Sequence, residues 1–120
     1  MMELLNIPYE KYTLANGIEI ILYQNRNLPS VAINLWYRVG SANEIKGKTG
    51  LAHLFEHMMF QGSKNVPKEM HFKYIQEAGG SLNASTSFDR TNYFEKLPSN
   101  NIKDLHIYIT CVKTLNPDKA

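Results

Sequence analysis

The chain has 120 residues, 43% of them hydrophobic and 20% charged, with 13 basic and 11 acidic side chains and a net charge of +2. That is long enough for one core and too apolar for a disordered chain. The mixed charges form no basic block, which argues against a nucleic-acid partner or an anionic membrane. Cys111 is the single cysteine, so no intrachain disulfide can form. This usage suits a reducing compartment, with the cytoplasm favoured, and Cys111 is expected to fill the core.

The first residues, Met1 to Pro8, show no basic region followed by an apolar run, so no signal peptide is expected. No stretch has the apolar length of a membrane span. Residues 9–15 and 18–25 read as two strands joined by Asn16-Gly17, a dipeptide that tolerates the positive φ of a hairpin turn. After the turn at Leu28-Pro29-Ser30, residues Val31, Ile33, Leu35, Tyr37 and Val39 alternate onto one face of a third strand. Gly40 to Lys48 is a polar loop.

Thr49 is expected to cap a helix running to about Phe60. Leu51, Ala52, Leu54, Phe55, Met58, Met59 and Phe60 make it apolar nearly all round, which predicts burial. Within it lies His53-Leu54-Phe55-Glu56-His57. Residues four apart share a helix face, so His53 and His57 can hold one zinc ion while Glu56, on the flank, handles a proton. The order H-x-x-E-H inverts the commoner H-E-x-x-H zinc signature. Buried imidazoles and carboxylates need partners, and this favours a zinc site over a merely polar helix.

Pro67 and Glu69 suit the start of a second helix, with Met70, Tyr74, Ile75 and Ala78 as its buried face and Gly79-Gly80 as its stop. His71 on this helix has no ligand partner nearby in sequence and reads as an ordinary surface or satisfied histidine. Residues 81–88 and 91–97 form a second hairpin around Asp89-Arg90. Ser99 caps a third helix with Ile102, Leu105, Ile109 and Val112 on one face, ended by Asn116-Pro117. The order β-β-β-α-α-β-β-α predicts an α+β fold, a mainly antiparallel sheet with helices packed on one face.

Four motifs in the right order resemble the pitrilysin, insulysin and mitochondrial processing peptidase family. Gly50 to Phe60 resembles its active-site helix. Val39-Gly40-Ser41 with Glu44 resembles the strand end and loop before that helix. Gly79 to Thr86 resembles its glycine turn and substrate-side edge strand, and Asp89 to Tyr93 with Leu97-Pro98 its return strand. The resemblance runs from about Tyr9 to Asn101. It implies that His53 and His57 bind one zinc ion, that Glu56 is the catalytic base, and that Asn83 and Ala84 pair with an extended peptide or protein substrate. It also implies a zinc-dependent metalloendopeptidase.

A catalytic zinc needs three protein ligands and an open position. The family's third ligand is a Glu farther from His57 than the 63 residues that follow it here. Asp104, His106 and Asp118 have no spacing that singles one of them out as a replacement. Residues 1–120 therefore read as a single, incomplete N-terminal zinc-peptidase domain. It would be inactive alone, its partners being the remaining peptidase domains in cis or a partner subunit. The alternative is a non-catalytic, truncated peptidase-like module that binds or supports a partner. A closed structural zinc site is disfavoured, because such sites are rich in cysteine.

Overall fold

The computed structural model describes residues 7–62 and 66–104. Seven elements organise it: β1 (Glu10–Thr13), β2 (Glu19–Leu22), β3 (Ser30–Tyr37), α1 (Leu51–Met59), α2 (Met70–Glu77), β4 (Ser81–Thr86) and β5 (Thr91–Pro98). Short 3-10 turns follow β3 at Ser41–Asn43 and β5 at Ser99–Asp104. The predicted third helix is seen only in that last turn, where Asn101 leaves helical geometry. Leu105, Ile109, Val112 and Cys111 lie outside the described residues, as do His106 and Asp118.

β1 and β2 form an antiparallel hairpin of their own. Only Gly17 takes a positive φ in its turn (86°). Asn16 contributes instead through its side chain, whose Oδ1 accepts the Ile18 amide at 3.2 Å. All eight strand residues are exposed, including Ile20, Ile21 and Leu22.

β3, β5 and β4 form an antiparallel sheet in that spatial order, so the hairpin's return strand is central and β4 is an edge. Alternation then assigns the faces. Val31, Ile33, Leu35 and Tyr37 of β3 stand opposite Leu97, Glu95, Tyr93 and Thr91 of β5. Leu82, Ala84 and Thr86 of β4 continue the same rows. This face receives both helices. Met59 and Tyr93 centre a cluster with Ile33, Leu35, Tyr37, Phe60 and Ala84, and Ile75 and Leu97 are each 1% exposed.

Sequence periodicity placed β3, β4 and β5 to within two residues, and Gly79 (φ 75°) stops α2 as expected. Burial of α1 is the main correction. Only Ala52, Glu56 and Met59 are buried, while Leu51, Leu54, Phe55 and Met58 are exposed. One face of α1 packs on β4 and β5, and the described residues supply no second layer to cover the others. His71 takes the second of its two expected readings, the satisfied one. It is 3% exposed and contacts Glu95 on β5, itself 2% exposed, so it is satisfied but is not a surface residue. The expected buried face of α2 shifts accordingly to His71 and Ile75, with Tyr74 exposed.

Candidate active site

The start of α1 is built from a distance. Gly50 precedes it in the left-handed conformation (φ 86°) with no side-chain cap, so Thr49 does not cap this helix. Glu44 does so from six to eight residues upstream. Its Oε2 accepts the Gly50 amide at 2.8 Å and its Oε1 the Ala52 amide at 2.9 Å. These donors, Ala52 first, lower the Glu44 carboxyl below its ordinary range. A carboxylate at a helix N-terminus also opposes the positive end of the helix dipole.

The loop bearing Glu44 is itself clamped. The Ser41 and Ala42 amides donate to the Ser87 and Phe88 carbonyls at 3.2 and 2.8 Å. Gly40 makes this approach possible, because a Cβ there would sit 2.3 Å from the Ser87 oxygen and 2.6 Å from the Phe88 oxygen. The turn between β4 and β5 thus fixes the loop, the loop holds Glu44, and Glu44 anchors α1.

On α1, His53 and His57 are exposed and Glu56 is buried. The two Nε2 atoms lie 3.0 Å apart, with ring centroids separated by 4.6 Å. Two nitrogens about 2.0–2.1 Å from one tetrahedral zinc would be roughly 3.3 Å apart, so this pair fits one ion with a small adjustment. Glu56 points the other way along the flank, onto the sheet. There Thr86 Oγ1 of β4 donates to Glu56 Oε2. Nearby Tyr93 is held above the ordinary phenol range, by burial first and then by the Glu56 charge and Tyr37. No cluster of three or more His, Cys, Asp or Glu side chains suited to a metal occurs among the described residues.

Asn83 and Ala84 lie on β4, the strand that also carries Thr86, so the open edge and the hydrogen-bond partner of Glu56 share one element. The Ala84 amide donates to Asn83 Oδ1 at 2.8 Å. No strand pairs with the outer edge of β4 among the described residues. Sequence reasoning missed Thr86 as a partner of Glu56 and Glu44 as the helix anchor. For Glu44 a signal existed, a carboxylate shortly before a helix that lacks a nearby capping side chain.

The sequence model of the family described as Insulinase (Peptidase family M16) matches residues 19–108. The chain belongs to this peptidase family. It is 38% identical over 110 residues to the zinc protease PqqE of Helicobacter pylori, a match covering 90% of this chain and 25% of that protein. It is 37% identical over 87 residues to the human insulin-degrading enzyme, covering 72% of this chain and 8% of that enzyme. Among solved structures, a protease from Helicobacter pylori superposes with a TM-score of 0.85 at 37% identity, covering 91% of this chain and 27% of that one. Pitrilysin superposes with a TM-score of 0.74 at 28% identity, covering 91% and 13%. The chain thus spans about a quarter or less of these relatives. No helix among the described residues is long and apolar enough to cross a membrane.

Proposed function

We propose that this M16 chain carries the first part of the active site of a zinc metalloendopeptidase. The observation that supports this most directly is the convergence of His53 and His57 Nε2 at 3.0 Å beside a buried Glu56 held by Thr86. His53 and His57 hold the zinc ion; Glu56, turned toward the sheet, is not a ligand. When bound, zinc supplies Lewis acidity that polarises a carbonyl and acidifies water.

Glu56 then acts as general base, taking a proton from the attacking water and passing it to the leaving amine. Thr86 fixes which carboxylate oxygen stays on the strand and leaves the other for the proton. The substrate is an extended peptide added to the open edge of β4 through main-chain hydrogen bonds. Its carbonyl replaces Asn83 Oδ1 at the Ala84 amide. The third ligand and the remaining walls come from further peptidase domains, in the same chain or a partner subunit. Residues 1–120 alone would accordingly bind zinc but work inefficiently, because His53 and His57 would supply only two of the three protein ligands a catalytic site needs.

Calorimetric titration with zinc tests the site. The chain should bind one ion, and the H53A/H57A double variant should lose that binding. Unchanged affinity in the double variant would reject the assignment.

A further inference from the structure

The sheet face turned away from α1 carries a polar assembly that the proposed hydrolysis does not use. In the strand register Asn92 of β5 stands between Trp36 of β3 and Ser85 of β4, so all three share this face. Asn92 is 5% exposed. Its Nδ2 donates to Asn34 Oδ1 at 3.1 Å, and its Oδ1 accepts the Ser85 hydroxyl at 2.6 Å. Arg90, from the turn before β5, lies over the assembly. Its guanidinium carbon is 4.9 Å from the centre of the Trp36 ring. One of its terminal nitrogens, Nη1, donates to Ser85 Oγ at 3.1 Å and to Asn92 Oδ1.

This guanidinium is oriented but electrically unmatched. The ion pairs among the described residues join Lys11 to Glu19, Lys73 to Glu77 and His71 to Glu95, and none includes Arg90. Its two acceptors are neutral and sit on Nη1. Arginine has five donors in a fixed fork, so Nε and Nη2 remain for a carboxylate. Stacking on Trp36 and the two hydrogen bonds have already cost the side chain its freedom, so a ligand would not have to order it.

The position relative to β4 decides what that ligand is. A peptide strand added to the open edge of β4 lies about 4.8 Å from it. Every second side chain of that peptide projects on the Ser85 face, and Ser85 is itself in contact with Arg90. We propose that Arg90 is a specificity-determining residue of the peptide groove, selecting an acidic side chain on the substrate residue that pairs beside Ser85. This rests on the reading of β4 as the substrate edge.

The test uses blocked eight-residue peptides of extended, uncharged sequence with Glu, Gln or Lys at one central position. The full chain is titrated with each, and binding is followed by amide NMR shifts of Ser81–Thr86 and by the fluorescence of Trp36, the only tryptophan. The Glu peptide should bind about fivefold tighter than the Gln peptide at low salt, the scale of one partly exposed ion pair, and the Lys peptide more weakly than either. R90Q should bind the Gln peptide as the parent does and lose the preference for Glu. R90K, which keeps the charge without the planar fork, should retain part of it. Circular dichroism of both variants checks that the fold is kept. If Gln and Glu peptides bind the parent equally, or R90Q keeps the preference, the role of Arg90 is overturned while the groove stands. If β4 amides respond to none of the peptides, the groove reading falls and the proposal with it.

Discussion

The buried contact between His71 on α2 and Glu95 on β5 offers a sharp test of how this fold is held together. Their side chains are 4% and 1% exposed, and the contact is made through His71 Nε2 and Glu95 Oε1. Glu95 Oε2 is buried with no hydrogen-bond partner among the described residues. Replacing Glu95 by Leu removes the acceptor but leaves the imidazole buried. Breaking a buried ion pair this way costs about 3–5 kcal/mol, and breaking a neutral buried hydrogen bond about 1–3 kcal/mol. We expect a loss of at least about 1 kcal/mol, the lower end of these ranges, since burial is nearly complete on both sides. Total stability is on the order of 5–15 kcal/mol for a domain, so the single variant should be visibly weakened.

Replacing both residues by Leu removes the imidazole together with the carboxylate it contacts, and the unsatisfied Oε2 goes with them. The double variant should therefore lose much less than the two single variants combined. The assay is urea unfolding followed by Trp36 fluorescence and by circular dichroism, with all four proteins at one pH. Strictly additive losses, or a Glu95→Leu cost below about 0.5 kcal/mol, which is the size of ordinary surface effects, would refute the claim that the pair ties α2 to the sheet.

Three further expectations concern the site. Glu44 has a carboxyl lowered from the ordinary value of 4.5 by amides present only in the folded state. Its stabilisation is therefore complete above about pH 4.5 and is lost as pH falls through the lower folded value; helicity at 222 nm should decline over that acid range in the parent, and E44Q should start lower and lack that component. G40A forces a Cβ against two backbone oxygens, which cannot swing aside, so a loss of about 1–3 kcal/mol should appear in urea unfolding together with weaker zinc binding; normal stability would show that the loop does not depend on that approach. In a longer chain that supplies the proposed further domains, Glu56→Gln should keep zinc and lower turnover by about 10²–10⁴ or more, measured with a quenched fluorescent peptide; near-normal turnover with zinc retained would remove Glu56 from the proposed mechanism.

Much of this architecture was legible in local pattern. Alternation in 31–39, 81–88 and 91–97 and the glycines at 79 and 80 located the strands and the end of α2, because strand period and positive φ are properties of the residues themselves. The same holds for the candidate metal pair. Residues four apart on a helix meet whatever surrounds them, so His53 and His57 converge as their spacing requires.

The assignments that failed depended on partners distant in sequence. Apolar residues around α1 predicted burial, yet burial is set by what packs against a helix, and here one sheet face covers only Ala52, Glu56 and Met59. Thr49 is the nearest capping side chain before α1, but the loop clamped by Ser87 and Phe88 brings Glu44 to the helix amides instead. For His71 the satisfied reading held, but its partner left no local sign, because Glu95 lies 24 residues away. Local pattern in the chain located β3, β4, β5 and the two described helices and set His53, Glu56 and His57 on one of them. Their long-range partners come from the folded chain, since strand order β3-β5-β4 sets Thr86 against Glu56, Glu95 against His71 and Arg90 over Ser85. Each of those contacts spans a turn or a crossover, and a short-range periodicity carries no information about where a chain returns.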